Sequence, residues 1–499
     1  MDDSSLNARR RSRELRRVAE ERLDVLVVGL GATGAGAALD AASRGLSVAA
    51  IDAHDLAFGT SRWSSKMIHG GLRYLAKGQV DVAYESAVER GILLRTTAPH
   101  LVAAHPYVLP LTKAVSRRQA ALVMSGYRLG DGLRAAARTP RRLLPGPTRL
   151  SAARTRTLAP VLDGDGLRGA LLSWDGRLLD DARLVVAIAR TAAAHGARVL
   201  TRCRALRLTG QGALVRDELT GEEFDVRARV VINAAGVWAG GLDPEVKLRP
   251  SRGTHLVLAQ GTLPGLIVGM HVPIPGETNR FALVLPQRDG RVYVGLTDEP
   301  VDGPVPDVPE VPEEDVRTLL EVLNGVLETQ VTREAVAGAY AGLRPLLAAD
   351  GHTADISRRH AVLSHDGIVT VVGGKLTTYR RMAEDAVDEA VSSAKLPARR
   401  SRTRKIPLAG AGPRPSGVPP RLAERYGSEA EAVHELVKAH PEEVGLGITE
   451  GELLWSVRHE GALDEGDLLD RRTRIGLVKQ DRDRALPATR DVLRRTPRD

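Results

Sequence analysis

The run from Asp24 to Asp52 restricts this chain more than any other. An apolar strand pattern (DVLVVG) enters Gly29-Leu30-Gly31-Ala32-Thr33-Gly34, a small-residue helix follows through Ala41, and a second strand pattern, Ser47 to Ile51, stops on an acid. Gly29 permits the tight turn, Gly31 lets backbone approach a pyrophosphate, and Gly34 lets the helix pack on the strand. The helix N-terminus then offers Ala32 and Thr33 N–H groups and a partial positive charge to phosphates. Asp52, 18 residues beyond Gly34, is placed to accept hydrogen bonds from a ribose. Glycines in this spacing are weak evidence by themselves; with flanking strands and the acid they predict a dinucleotide-binding α/β unit.

The segment directly after it, Gly59 to Leu75 (GTSRWSSKMIHGGLRYL), reads as a cofactor-and-substrate loop. At 499 residues the chain is too long for one core, so two or three domains are expected. Further strand and helix patterns begin near Asp181, include a helix over Leu184 to Ala194, and reach VVINAAG at Val230. From Thr254 to Thr297 the alternation in HLVLA, RFALVLP and RVYVGLT predicts half-buried antiparallel strands that suit a sheet covering a substrate. A helix is predicted from about Glu313 to Leu327, and GIVTVVGGKLTTY (Gly367 to Tyr379) is again strand, double glycine and helix start. Residues 1–22 read as a polar mobile tail, able to become helical on docking. Residues 401–420 read as a Pro/Gly linker, and 421–499 as a separate helical domain. The dinucleotide domain is therefore predicted to be discontinuous, about 23–110, 150–250 and 335–400. A substrate or cap domain of about 111–149 and 251–334 is inserted in it.

No stretch approaches the ~20 apolar residues of a spanning helix, and the start of the chain lacks a secretory apolar core. A cytoplasmic protein is expected, with room for peripheral attachment to the inner face of the cell membrane. The single Cys203 excludes an internal disulfide framework, and no His/Cys/carboxylate cluster has ligand spacing, so no metal is expected. The net charge of +9 is concentrated in three runs: Arg9 to Arg17, Arg134 to Arg156, and Arg471 to Asp499. These suit an anionic lipid surface, at about 1 kcal/mol per residue, or are simply solvated faces. Aromatic residues make up 3% of the chain and no nucleic-acid motif is present, so nucleic acid is not an expected partner.

The pieces DVLVVGLGATGAGAALDAASRG, GTSRWSSKMIHGGLRYL, APHLV, WDGRLLDDARLV, VINAAGVWA, GLRPL, GGKLTTYRRMAE and RRTRIG occur in this order from Asp24 to Gly476. In them the chain resembles the flavin-dependent, NAD-independent glycerol-3-phosphate dehydrogenases. It departs from the family at Leu30, where a third glycine is frequent, and at Arg62 and Trp63. The resemblance implies an α/β fold: an FAD-binding, doubly wound, Rossmann-like domain of the glutathione-reductase/D-amino-acid-oxidase type, an antiparallel-sheet substrate domain and a C-terminal helical domain. It further implies oxidation of sn-glycerol 3-phosphate to dihydroxyacetone phosphate, with electrons passing to FAD and then to a membrane quinone, and a homodimer as a frequent assembly. The competing readings are an oxygen-using oxidase of the same family, a flavin amine or amino-acid oxidase, and a non-catalytic flavin-binding protein.

Site residues follow from the same resemblance. Beyond Gly29, Gly31, Ala32, Thr33, Gly34 and Asp52, the cofactor is expected against Thr60, Ser61, Ser65, Lys66, His69, Gly70, Gly71 and Leu72. Ala235, Gly236, Gly374, Lys375, Leu376 and Thr377 complete its surroundings. A dianionic phosphate is best held by guanidinium forks; Arg73, Arg344 and Arg358 are the implied ones, with Arg359 as rival to Arg358. Tyr74 lines the substrate pocket or packs in a core. Lys375 stabilises negative charge on the reduced flavin or caps structure. Histidine suits the base that takes the hydroxyl proton; His255 is the first choice and His69 the second.

Overall fold

The computed structural model describes residues 2–76, 78–277, 280–348 and 359–496. Five parallel strands stand side by side in the order Ile368–Gly373, Glu223–Asn233, Arg22–Val28, Val48–Ile51 and Arg198–Leu200. Such strands are covered on both faces, which is why their sequences are continuous apolar runs rather than alternating ones. Helix Ala32–Ser43 follows the glycine turn and is buried nearly all round, with Ala35, Ala37, Ala38 and Ala41 fully enclosed. Its alanines and glycines allow helices Asp181–Ala194 and Tyr379–Ser393 to pack against it. This is the dinucleotide-binding α/β unit that the glycine fingerprint predicts, within the α/β fold that the family resemblance implies.

A second, mainly antiparallel sheet runs in the order Glu299–Pro300, Ser251–Leu258, Val292–Gly295, Phe281–Pro286, Gly269–Pro273, Val102–Pro110, Ala170–Leu178 and Met67–Ile68. Val336–Arg344 also pairs with Ser251–Leu258. One face is sealed by helix Glu313–Asn324, whose Val316, Leu319, Leu320 and Leu323 meet Leu256, Met270, Val284 and Val294. Strand alternation sends His255, Leu283 and Tyr340 to the other face, toward the parallel sheet.

Two organisational expectations need correcting. Residues 1–22 are not a mobile tail: helix Ala8–Glu20, capped by the Asn7 side chain, is docked through buried Arg11, Glu14 and Val18. Arg11 bonds the carbonyl of Thr201 at 2.7 Å and the Asp217 carboxylate at 2.6 Å, partners about 200 positions away that no local pattern announces. The boundary between the two sheets also differs, because Val102–Pro110, Ala170–Leu178 and Val336–Arg344 belong to the second sheet. Their apolar runs satisfy either sheet, and strand partners far along the chain decide between them. The linker segment 401–420 is anchored to the first domain: Leu408 is buried, its N–H bonds the Thr97 carbonyl, and Ser401 and Thr403 bond Asp40.

Helices Pro420–Tyr426, Ala430–Ala439, Glu450–His459 and Lys479–Arg495 form the C-terminal part. It is clamped to the rest by buried charge. Asp55, fully enclosed, receives Arg471 at 2.6 Å and Arg472 at 2.7 Å, while Arg183 meets Glu460 at 2.9 Å. Two of the arginine runs thus supply internal ion pairs as well as surface charge. Among the described residues no helix is long and apolar enough to cross a membrane, and no three metal-ligating side chains converge.

Candidate active site

A cavity of about 580 Å³ opens at the carboxyl ends of the parallel strands and is closed on its far side by the second sheet. Crevices there are the usual ligand sites of open α/β sheets. Its first wall consists of the residues that leave three adjacent strands: Val28 and Gly29, Ala234 to Gly236, and Gly373 to Leu376. Gly29 has φ +103°, and a Cβ there would lie 2.5 Å from the Ala234 carbonyl oxygen; one on Gly34 would lie 1.8 Å from the Gly29 oxygen. Only glycine permits this turn and this helix approach. Gly31 caps helix Ala32–Ser43 without a side-chain acceptor, and the Ala32 N–H donates to Ser61 Oγ at 2.9 Å.

Asp52 also lines the cavity. Its carboxylate accepts the N–H groups of Leu30 at 2.7 Å and His54 at 2.8 Å, tying the second strand to the glycine turn. Burial pushes its pKa up to about 6 despite those two bonds, so further donors such as ribose hydroxyls would stabilise its ionised form. The residues present fit a flavin dinucleotide. A helix start whose N-cap, Gly31, carries no capping side chain faces the cavity, the acid stands beside it, and two buried cavity-lining polar atoms, Trp63 Nε1 and Thr377 Oγ1, have no hydrogen-bond partner among the described residues.

Of the remaining predicted cofactor residues, Thr33, Thr60, Ser65 and His69 line the cavity. Gly34, Lys66, Gly70, Gly71 and Leu72 stand behind its wall. Lys66 is turned away: its ammonium bonds Asp181 and the carbonyl of Arg62 at 2.8 Å and the carbonyl of Ser64 at 3.0 Å. The Gly70 N–H is held by Asp175 at 3.1 Å, and Asp175 is in turn paired with Arg90 at 2.6 Å. Asp175 and Asp181, two of the three acids of the WDGRLLDD motif, therefore pin the two ends of the Ser64–Gly70 loop. The sequence shows that motif, but nothing in its spacing reveals what its carboxylates grip.

On the opposite wall, His255 and Arg344 come together from neighbouring strands. The Arg344 guanidinium is fixed by Asp298 and Ser251 at 3.0 Å and by the Thr297 carbonyl at 3.1 Å. His255 is fully buried, stacked on Tyr340 with ring centroids 4.8 Å apart, and its Nε2 lies 2.8 Å from Ser65 Oγ. Burial, then the positive charges of Lys66 and Arg344, hold its pKa well below the ordinary histidine value, so the imidazole is neutral at pH 7. Lys375 lines the cavity, donates to Ser86 and lies 4.0 Å over the Tyr74 ring, which lines it too. The side chain of Arg73, on helix Leu72–Ala76, and the whole of Arg358 lie outside the described residues; Arg359 pairs with Asp81. Sequence reasoning missed Asp298 and Gly295, whose contacts to Arg344 and His255 arise from cross-strand register.

A dinucleotide cradle facing a buried imidazole and a fixed guanidinium suits a dinucleotide-dependent oxidoreductase. The family model described as FAD dependent oxidoreductase matches residues 24–380, and that for the C-terminal domain of alpha-glycerophosphate oxidase matches 401–496. Curated proteins called glycerol-3-phosphate dehydrogenase 1, from Mycobacterium bovis and Mycobacterium tuberculosis, are 50% identical over 99% of this chain and 99% of theirs. The solved glycerol-3-phosphate dehydrogenase from Bacillus halodurans, complexed with FAD, has 27% identity and a TM-score of 0.76 over 98% of this chain and 94% of that one. The chain belongs to the FAD-dependent glycerol-3-phosphate dehydrogenase family, and FAD is its cofactor.

Proposed function

We propose that this protein oxidises sn-glycerol 3-phosphate to dihydroxyacetone phosphate and passes the electrons to a membrane quinone. The observation that carries the reading is the meeting of a neutral imidazole, His255, and an oriented guanidinium, Arg344, in the wall opposite the dinucleotide cradle. FAD, held by the glycine turn, Asp52 and the Gly374–Thr377 turn, supplies the hydride acceptor. Arg344 holds the substrate phosphate, assisted by Arg73 and Arg358, and Asp298 keeps its fork from rotating. His255 receives the hydroxyl proton as the carbonyl forms. Lys375, at the start of the last turn, offers positive charge toward the reduced cofactor.

The quinone reading goes with a cytoplasmic protein attached to the inner membrane face. What supports it is helix Arg117–Ala136, which exposes Leu122 and Leu129 at 62% and 63% among exposed Arg117, Arg118 and Arg128. Arg138, Arg141, Arg142, Arg149, Arg154 and Arg156 follow it on the surface. Salt-sensitive sedimentation with anionic vesicles tests this; no binding at low salt defeats it. The reaction is tested by anaerobic addition of glycerol 3-phosphate, which should bleach the flavin. Mixing with quinone should then restore it faster than oxygen does. An unchanged spectrum sinks the reaction, and fast reoxidation by oxygen alone sinks the acceptor.

A further inference from the structure

His255 borders the cavity but is crowded on two sides and already bonded at Nε2. Strand Val292–Gly295 lies against one side of the imidazole, so close that a Cβ on Gly295 would come within 2.3 Å of Cδ2, and Tyr340 is stacked on it. Its side chain is fully buried, and Nε2 is already engaged by the Ser65 hydroxyl at 2.8 Å. Ser65 itself lines the cavity. Its position is set from behind: Asp181 binds the Ser64 N–H at 2.9 Å, the Ser64 hydroxyl at 2.7 Å and the Lys66 ammonium at 2.8 Å, on both sides of Ser65 in the chain. Asp181 is 1% exposed and opens helix Asp181–Ala194, so this anchor is rigid.

We propose that Ser65 is a catalytic proton relay, placed by Asp181, that connects the substrate hydroxyl to His255. With Nε2 unprotonated, Ser65 donates to it, while Ser65 itself borders the cavity where the substrate hydroxyl would sit. As the carbinol C–H bond breaks and its hydride passes to the flavin, the substrate O–H proton moves to Ser65 Oγ and the serine proton moves to Nε2. The C–O bond becomes the ketone, serine is regenerated, and the imidazole gains one positive charge. Lys66 and Arg344 oppose that charge, as the charged groups facing the ring; the substrate phosphate dianion offsets them, so proton uptake is favoured only while substrate is bound. Asp181 and Asp298 are already neutralised by Lys66 and Arg344.

This inference rests on the proposed reaction, and one experiment separates the two. Flavin reduction by glycerol 3-phosphate is followed anaerobically in the wild-type holoenzyme and in Ser65→Ala, Ser65→Thr and Asp181→Asn. No bleaching of the wild type defeats the reaction itself. If the wild type bleaches, Ser65→Ala should keep its flavin and reduce it about 100-fold or more slowly, the scale of a lost acid–base group. Ser65→Thr should recover at least a tenth of the wild-type rate. The wild-type proton inventory in mixed H₂O and D₂O should bow as two transferred protons require, and that of Ser65→Ala should become linear. Independently of turnover, the ¹⁵N resonance of His255 Nε2 in the resting holoenzyme should shift in Ser65→Ala. A slowing of less than tenfold in Ser65→Ala, or an unmoved Nε2 resonance, overturns the relay. Loss of flavin from Ser65→Ala transfers the decision to Ser65→Thr and Asp181→Asn: a linear inventory in wild type and both variants overturns it too.

Discussion

Gly295→Ala gives a direct test of how the base is held. Gly295 lies across from His255 in antiparallel register, and an added methyl would sit 2.3 Å from Cδ2, 2.7 Å from Cγ and 2.9 Å from Nε2. Ordinary contact begins at 3.4 Å, so the ring must retreat by about 1.1 Å. Tyr340, stacked on the ring, is in the way of that retreat. A displacement of about 1 Å in a reacting group costs on the order of 100-fold in rate, and overpacking a buried site costs roughly 1–3 kcal/mol. The variant should therefore reduce its flavin about 100-fold more slowly in anaerobic stopped flow and unfold at lower urea, while flavin absorbance per chain is unchanged. Gly132→Ala, where an added Cβ meets nothing within 4 Å, is the control and should match wild type. A Gly295→Ala enzyme within threefold of the wild-type rate would refute the claim that the strand pins the imidazole.

Two other outcomes follow from the buried charges of the protein. Arg344→Lys keeps the charge but loses the fork that spans Asp298, Ser251 and the Thr297 carbonyl. It should lower kcat/KM for glycerol 3-phosphate by about 10- to 100-fold, as expected for a charge-assisted bond of about 1.5–3 kcal/mol, with flavin retained; an unchanged kcat/KM would remove Arg344 from the phosphate site. Acid should undock the C-terminal part. Burial raises the Glu460 pKa, but Arg183, Arg190 and Arg472 outweigh it and hold the group at about 2, against 4.5 when exposed. Because the folded value is depressed, its contribution of roughly 3 kcal/mol is present above pH 4.5 and is lost as pH falls toward 2. Asp55, held below its ordinary value by Arg472 and Arg471 against its own burial, adds to the loss over the same acid range. Urea midpoints measured from pH 5 to 2.5 should fall steeply in wild type and less so in Glu460→Gln; parallel slopes would contradict the assignment.

The legible parts of this protein are those whose physics is local. Gly29, Gly31 and Gly34 specify a turn within six residues, the apolar run after Leu23 is a buried parallel strand, and the C-terminal helices fall at Pro420–Tyr426, Ala430–Ala439 and Glu450–His459 as their periodicity predicts. The inclusion of His255, Arg344, Lys375 and Tyr74 among the cavity residues came from motif resemblance, since nothing local distinguishes them from other residues of their kind. Gly295 looks like any strand glycine until register sets it under His255, 40 positions earlier. Lys66 reads as a cofactor contact until Asp181 claims it. An amphipathic Arg-rich stretch such as Ala8–Glu20 has the composition of a solvated tail whether or not it is docked.

Sequence by itself determined the dinucleotide turn, the alternation of fold types along the chain and the family, because each depends on short spacings that any copy of these residues must obey. Tertiary structure alone decided how the charges are used. An excess of arginine can be counted in one dimension, but whether Arg471 and Arg472 face a membrane or neutralise Asp55, more than 400 positions away, depends on which groups are brought within about 3 Å in a medium of low dielectric. The same holds at the active site. Its neutral histidine, fixed guanidinium and serine hydroxyl acquire their properties from burial and from one another, and none of the three has them until both sheets have closed around the cavity.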